Sequence, residues 1–397
     1  MSTLERRLGT GRAVVIGLAA MLGAGVFFVW APAAAVAGTG LFIGLAIASV
    51  VATLNALSTA QLATALPVSG GAYAYGRRYL NPWVGFSAGV LFLTGKTASV
   101  SAIALVAGSY LWPEHARWVA AAAILLLAAV NATGIRSTAA VSAVIVAIVL
   151  TGIVASLGLA LPSVQPIRME AMAGPLGILQ SAGLLFFAFA GYARLATLGA
   201  EVRDPRRTLP RAIIIALSTT LVLYALVATT LVSVVGVERL ATSTSPFAEL
   251  GVAEPLVRGI AVLACLGSLL GLLAGLSRTG LAMAQQRDLP GPLAHISPRT
   301  KAPVVAEFVF ALVGVAAVLL LDPAWLIGVS SAAVLAYYGV AHLAALRQPA
   351  GERWVPRALS ALGLVGCAVL VVTLPWQGVA VAAAVLLGSL VARRVRA

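Results

Sequence analysis

The sequence predicts an all-α integral membrane protein with about twelve transmembrane helices. Of its 397 residues, 61% are hydrophobic and only 10% are charged, and the mean hydropathy is +1.04. So few polar side chains cannot cover a water-soluble globule of this size, whereas they suit helices that are surrounded by lipid. Composition alone therefore indicates a membrane protein.

Twelve apolar runs are long enough to cross a bilayer as helices. Short joints that contain Pro, Gly or Asp separate them, among them "LPVSGG", "LWPEH", "RDPRR" and "DLPGP". The runs lie near residues 13–37, 40–65, 83–111, 118–135, 139–162, 176–200, 211–236, 256–284, 303–321, 324–346, 357–374 and 376–392.

Basic residues fall mainly on alternate joints between these runs. Twenty Lys and Arg residues lie on one side of the membrane and four on the other, with both termini on the richer side. Because basic joints stay in the cytoplasm, we expect a multi-pass protein of the cell membrane with cytoplasmic N- and C-termini. The net charge of +14 then reflects topology and favours anionic membrane lipids as partners, not nucleic acid. No obligate protein partner is evident.

Enzymes and channels find little support in the sequence. Cys265 and Cys367 lie inside apolar runs as small hydrophobic residues do, so we expect neither a disulfide nor a metal site. No catalytic triad or His/Cys cluster lies deep in a run, so we expect no enzyme and no cofactor. A channel would need a continuous polar pore, for which polar residues are too sparse.

The first apolar run is interrupted by the stretch "MLGAGVFF", Met21 to Phe28. Gly23 and Gly25 lie halfway along it, where each costs a helix about 1 kcal/mol relative to Ala. A break at this depth survives only where protein or a polar cavity covers the freed backbone. The resumed half-helix, near residues 24–26, would direct its amide groups and positive dipole end at a carboxylate. The alternative is a packing seam, since small residues also let helices approach closely.

Two basic residues lie inside apolar runs. Lys96 is about halfway along the third run, where a cation costs at least about 2.5 kcal/mol, so we interpret it as a functional cation. The alternative is snorkelling, but from that depth the lysine side chain reaches the membrane interface poorly. Arg194 lies nearer the cytoplasmic end of the sixth run and is expected to pair with Glu201 or Asp204 or to contact a ligand.

The sixth run repeats the interruption of the first. Gly191 lies in mid-run among Phe186, Phe187, Phe189 and Tyr192. Two interrupted helices at matching positions of two inverted five-helix halves are a pointer to a transporter site. We therefore predict one transmembrane domain over 1–397, with a first inverted repeat at 11–162, a second at 176–346, and two accessory helices at 357–397.

Several ordered motifs resemble those of the amino acid-polyamine-organocation superfamily of secondary transporters. They are "GLAAMLGAGVFF", "LPVSGGAYAYGRRYLNPWVGFSAG", "NATGIRS", "FFAFAGYARLATLGAEVRDPRRTLPRAI" and "GSLLGLLAGLSRTGLAMAQQRDLPGPLAHISPRTKAP". The resemblance implies a leucine-transporter-type fold: a 5+5 inverted repeat with discontinuous helices 1 and 6. It also implies alternating access, in which helices 1, 2, 6 and 7 rock against helices 3, 4, 8 and 9.

The resemblance further implies where an amino acid would bind. Its carboxylate would lie on the backbone amides of the first break, its ammonium on carbonyls at the ends of both half-helices, and Phe187 would gate the outer side. The predicted substrate-binding residues are Met21, Gly23, Ala24, Gly25, Val26, Phe187, Phe189, Ala190 and Gly191. The predicted coupling or gating residues are Lys96, Ser277, Phe187 and Tyr192.

The chain also departs from the family pattern. Many sodium-independent members carry a lysine in the fifth helix where this chain has Val149, and some carry an acidic residue where it has Ala193. Lys96 is the deep ammonium that could substitute, through a contact with the first break or with Ser277. We therefore expect sodium-independent transport with the proton as the candidate coupling ion.

The small and apolar residues expected around the site predict neutral amino acids as substrates. They are Ala190, Gly191, Leu272, Ile103 and Val100, and no acidic partner for a cationic side chain accompanies them. The open alternatives are an amino acid exchanger or exporter, and a non-transporting sensor on the same fold.

Overall fold

The structure is a computed structural model that describes residues 9–66, 70–134, 139–167, 172–192, 195 and 202–396. The expectations for Ala193, Arg194 and Glu201 lie outside the described residues.

The described residues form an all-helical fold. Its helices are α1 (Thr10–Met21), α2 (Gly25–Phe28), α3 (Trp30–Ala37), α4 (Leu41–Ala65), α5 (Ala72–Tyr79), α6 (Pro82–Leu111), α7 (Ala116–Ala132), α8 (Ala139–Ala160), α9 (Pro175–Phe189), α10 (Pro205–Val235), α11 (Val237–Thr242), α12 (Glu254–Gln285), α13 (Val304–Leu320), α14 (Pro323–Arg347), α15 (Arg357–Thr373) and α16 (Trp376–Arg396).

Helix occupies all twelve predicted apolar runs within the described ranges. Nine helical segments there are long and apolar enough to cross a membrane, judged by length and composition, and two shorter apolar helices are α13 and α15. The first run is divided among α1, α2 and α3, as its glycines predict. The all-helical membrane fold is confirmed, whereas the number of crossings and the inverted repeat stay predictions.

Helix ends follow local sequence chemistry. At the start of α6 the Asn81 side chain accepts a hydrogen bond from the Val84 amide (2.9 Å), and Pro82 fills the first helical position, which needs no amide hydrogen. At the end of α10 the chain turns through Gly236, whose φ of 81° disfavours residues with a side chain.

Helix α6 is the central helix of the fold. It packs against α14, α12 and α7, and most of its length is buried. A Cβ on Gly95 would lie 2.8 Å from Val334, so this glycine permits close packing on α14. The Ser99 and Ser330 hydroxyls bond across the same interface (2.7 Å). Such small and polar contacts are typical of helix packing in membranes, where burial against lipid gives little driving force.

One face of α4 carries a row of polar side chains, which we call the α4 polar row. Its members recur at every third residue, so they lie on one side of the helix. The bonds are Asn55 to His342 (2.7 Å), Ser58 to Ser360 (3.0 Å) and Gln61 to Gln348 (2.7 Å). These hydrogen bonds attach α4 to α14 and α15.

A cluster around Asp288 joins four segments at one end of the fold. The Asp288 carboxylate is bonded by Arg77 and Arg393 (2.9 Å each) and by the Tyr73 hydroxyl (2.8 Å). Burial and this hydrogen bond raise the pKa of Tyr73, so its hydroxyl keeps the proton that it donates. Arg393 also lies over the Trp83 ring, 4.9 Å from its centroid. The cluster connects α5, α6 and α16 to Asp288, three residues beyond the end of α12.

We predict that Asp288→Ala strongly destabilises the fold, because it removes a buried carboxylate that two half-buried arginines share as their counterion. Only 4% of the Asp288 side chain is exposed, and removing one partner of a buried pair typically costs about 3 kcal/mol or more. Thermal unfolding of the purified protein in detergent should show a clearly lowered Tm. The matched control is Glu249→Ala, since its partner Arg239 is 70% exposed and the pair should contribute little. Equal effects of the two substitutions would contradict this assignment.

Candidate functional site

The first helix break lies at residues 22–24, between α1 and α2. Residues 19 and 20 aside, no hydrogen bond joins the amides of Gly23, Ala24, Gly25 or Val26 to an acceptor in the described part of the chain. All four residues are buried. A row of buried, unpaired amide groups at a helix start is suited to binding an anion such as a carboxylate.

The carbonyl side of this break is held by a tyrosine that the sequence analysis did not identify. The Tyr224 hydroxyl of α10 lies 2.6 Å from the Met21 carbonyl oxygen and 3.1 Å from the Ala188 carbonyl oxygen. One hydroxyl has one hydrogen, so it can satisfy only one of the two carbonyls at a time. In the sequence, Tyr224 stands out only as a polar ring within an apolar run, and that pattern does not show which groups the hydroxyl contacts.

The second helix break follows α9, which ends at Phe189 and continues as the tight 3-10 turn Ala190–Tyr192. The structure brings the two breaks into contact. A Cβ on Gly25 would lie 2.7 Å from the Ala188 Cα atom, a distance that real side chains do not tolerate. Gly25 is therefore required for the close approach of the two backbones, whatever its further role.

The predicted aromatic residues of the second break have different surroundings. Phe189 is fully buried, and its ring packs edge-on against Tyr224 with centroids 5.1 Å apart. Phe187 is only half-buried. Tyr192 is fully buried and lies against Tyr338, with centroids 5.1 Å apart. Tyr192 therefore faces α14, and the gating roles of Phe187 and Tyr192 stay predictions.

A second group missed by the sequence analysis covers the half-helix beyond the first break. The Tyr110 hydroxyl donates to the Phe27 carbonyl (3.0 Å) and accepts from the Phe247 amide (3.1 Å). The Phe27 and Phe247 rings lie 4.8 Å apart. The segment between α11 and α12 thereby covers Phe27.

Lys96 is buried without a counterion. It is 6% exposed, and no hydrogen bond or ion pair links it to another described residue. No hydrogen bond joins Lys96 to Ser277 among the described residues, and the Ser277 hydroxyl donates to the Ala274 carbonyl (3.3 Å). Lys96 likewise makes no hydrogen bond to the first break among the described residues. An unpaired buried ammonium is costly in lipid, which is why such groups mark functional sites.

Acidic groups are absent from the residues that form the two breaks. The buried Glu307 of α13 instead accepts a hydrogen bond from Asn131 of α7 (2.8 Å). Among the described residues, no group of three or more His, Cys, Asp or Glu side chains could hold a metal ion.

Two apolar helices that are interrupted at mid-length and contact each other at the interruptions are typical of membrane transport proteins. The family model described as amino acid permease matches residues 12–392, and the chain belongs to this family, within the amino acid-polyamine-organocation superfamily. The predicted resemblance is thereby confirmed.

Three relatives illustrate the range of the family. An uncharacterized transporter of Mycobacterium tuberculosis (strain H37Rv) is 49% identical over 393 residues, covering 96% of this chain and 89% of the relative. The branched-chain amino acid permease BcaP of Bacillus subtilis is 26% identical, covering 78% and 73%. The vacuolar cationic amino acid transporter 4 of Arabidopsis thaliana is 29% identical, covering 81% and 60%.

We predict that Gly25→Ala impairs transport, because the added methyl group meets the Ala188 backbone and separates the two breaks. Uptake by reconstituted protein should fall at least tenfold, the change that about 1.4 kcal/mol produces. The control is Gly259→Ala in α12, where a Cβ would meet no atom within 4 Å. Wild-type uptake by Gly25→Ala protein would show that the close approach is dispensable.

Proposed function

We propose that this permease is a secondary active transporter that moves neutral amino acids across the cell membrane by alternating access. Transport is sodium-independent and coupled to protons, and both termini are cytoplasmic. The observation that carries the proposal is the row of buried, unpaired amides from Gly23 to Val26, beside carbonyl oxygens of both half-helices.

The amide row would bind the substrate carboxylate. Several amide hydrogens and the positive end of the α2 dipole converge where a negative charge is favoured, and surrounding protein excludes water. The dipole contribution is shared with α3, because α2 has only four residues and α3 follows it after one residue. Met21, Gly23, Ala24, Gly25 and Val26 together would form this part of the site.

The substrate ammonium would bind between the Met21 and Ala188 carbonyls. An ammonium has three hydrogens, so it can satisfy both carbonyls at once, which the Tyr224 hydroxyl cannot. With the ammonium in place, Tyr224 would turn its oxygen lone pair to the substrate and accept the third hydrogen. Tyr224 would thus hold the two half-helix ends together while the site is empty and would bind substrate when it is filled.

Apolar surroundings would select the substrate side chain. Val100 and Ile103 of α6 are buried, and Ala190 follows Phe189 at the second break. The described residues of the two breaks offer no carboxylate for a cationic side chain, and Lys96 on the same helix as Val100 and Ile103 would repel one. The two relatives that are named for a substrate differ, one for branched-chain and one for cationic amino acids, so the preference for neutral amino acids rests on this chain's own residues.

Lys96 would provide proton coupling. An ammonium without a counterion in a low-dielectric site can lose its proton when its surroundings change, whereas an ion-paired one is held charged. Val149, at the position where many sodium-independent relatives carry a lysine, is buried and cannot titrate. Protonation of Lys96 would therefore alternate with the opening of the two sides.

We predict that proteoliposomes containing this protein show saturable counterflow of leucine or another neutral amino acid, unchanged when sodium is replaced. Recognition of both charged groups predicts that leucinamide and 4-methylpentanoate compete poorly, since each lacks one of them. Selective transport of lysine or arginine would contradict the substrate proposal, and binding without counterflow would favour a sensor.

Tyr224→Phe should raise the KM for leucine about tenfold, because one hydrogen bond to the ammonium is lost. Weak inhibition by 4-methylpentanoate, which has no ammonium, should be unchanged in the same variant. If Tyr224→Phe weakens both compounds equally, its role is structural and not recognition of the ammonium.

Lys96→Met should flatten the pH dependence of uptake while leaving uncoupled counterflow measurable, because methionine has similar length and no charge. Lys96→Ala is the second variant, and it separates loss of charge from loss of packing. A wild-type pH profile in both variants would exclude Lys96 as the coupling group.

A further inference from the structure

A small cavity lies between the first turn of α10 and the loop that joins α14 to α15. Its volume is about 140 Å³, and it is lined by Arg206, Gly351, Glu352, Arg353 and Trp354. We call it the Arg206 cavity. A water molecule occupies about 30 Å³ in the liquid, so the cavity has room for a small anion. None of its residues belongs to the proposed amino acid site.

The loop side of the Arg206 cavity is held by hydrogen bonds to α4. Gln61 Oε1 accepts from the amides of Trp354 (2.9 Å) and Val355 (2.6 Å). The Trp354 indole also donates to the Thr64 hydroxyl (3.3 Å). Arg353 therefore belongs to a loop whose position is fixed before any ligand binds, and such preorganisation favours binding.

Both arginines of the cavity lack a counterion among the described residues. None of the ion pairs found there includes Arg206 or Arg353. Arg206 is exposed, whereas Arg353 is partly buried and its Nε atom is buried without a hydrogen-bond partner. An unpaired buried donor carries a desolvation cost, and two guanidinium groups at one cavity repel each other. An anion between them would lower both costs.

The carboxylate that lines the cavity is bonded on another side. Glu352 Oε2 accepts a hydrogen bond from the Tyr79 hydroxyl of α5 (2.6 Å), and no ion pair in the described ranges joins it to either arginine of the cavity. The two segments that meet here, 202–211 and 347–357, contain seven arginines and two acidic residues. The surroundings of the cavity are therefore strongly positive and attract anions.

A phosphate group is the anion that suits this cavity. A guanidinium donates two parallel hydrogen bonds to phosphate oxygens, and one phosphate has enough oxygens for two arginines. Arg206 lies in the first turn of α10 and Arg353 lies four residues before α15, so both are at the ends of membrane helices, where phospholipid headgroups lie. Trp354 is of the residue type enriched at the same level of a membrane. A metal cation is not suited, because two arginines would repel it.

We propose that the Arg206 cavity binds a phosphate group, from an anionic phospholipid or from free phosphate. The bound group would join the start of α10 to the loop between α14 and α15. Because this loop is attached to α4, phosphate would link α10 to α4 at this end of the fold. The proposal goes beyond the proposed function and does not depend on it.

Thermal unfolding of the purified, delipidated full chain in uncharged detergent tests the site. A ligand that binds only the folded protein raises its Tm with increasing ligand concentration. One arm compares phosphatidylglycerol with zwitterionic phosphatidylcholine, and the other compares sodium phosphate with sodium chloride at equal ionic strength. A rise with phosphatidylglycerol alone identifies the lipid headgroup as the source, and a rise with phosphate shows that the free ion also binds. No rise in either arm would overturn the proposal.

Arginine variants distinguish the cavity from general surface charge. Arg206→Gln and Arg353→Gln should each weaken the apparent affinity for the effective ligand at least tenfold, because each removes charged hydrogen bonds. The matched control is Arg207→Gln, which removes the same charge one residue away, since Arg207 pairs with Asp204 (3.6 Å) and does not line the cavity. Equal weakening by Arg207→Gln would overturn the site. Arg206 is exposed, so its variant decides the question even if Arg353→Gln fails to fold.

Glu352→Gln should have the opposite effect and tighten binding severalfold. It removes the negative charge from the cavity, while the glutamine carbonyl can still accept from Tyr79. A cavity with only a structural role would show no gain in affinity, and an unchanged or weaker affinity would contradict phosphate binding. Phosphate binding that depends on Arg206, in a protein that shows no amino acid counterflow, would retain this site and reject the transport activity.

Discussion

Where a helix is interrupted inside an apolar bundle, its unpaired backbone amides and carbonyls must be covered, and this structure depends on that constraint. Lipid offers no hydrogen bonds, so a helix can stop at mid-depth only where protein groups replace the lost partners. Here the carbonyl oxygens of Met21 and Phe27 are covered by tyrosines from α10 and α6. The amides from Gly23 to Val26 are the groups left over. A substrate that completes this set would be bound because the protein cannot complete it alone.

The second break is what makes such covering possible. Gly25 lies against the Ala188 backbone, so each interrupted helix shields part of the other. Tyr224 then bonds to either of the two carbonyl ends. The helices around this pair of breaks are attached to one another: α6 is buried against α12 and α14, and the α4 polar row attaches α4 to α14 and α15.

Sequence reasoning found the backbone features of the site but not the side chains that cover them. Gly23, Gly25 and Gly191 interrupt long apolar runs, a pattern that is visible without any tertiary contact. Tyr110, Tyr224 and Phe247 act through partners distant in the sequence, and runs that are apolar on every side do not reveal which face meets which neighbour. The expected Lys96 to Ser277 contact depended on the same unknown, the faces that α6 and α12 present to each other, and no hydrogen bond joins the two side chains among the described residues.

The Asp288 cluster has a consequence for the order in which the protein assembles. Arg77 is synthesised before Asp288, but Arg393 is the last of these partners to emerge from the ribosome and belongs to α16. Until α13, α14, α15 and α16 have been inserted, this carboxylate has only one of its two arginines. The end of α12 is therefore fully fixed only once α16 has docked, because Arg393 completes the contact between α16 and the segments that carry Arg77 and Asp288.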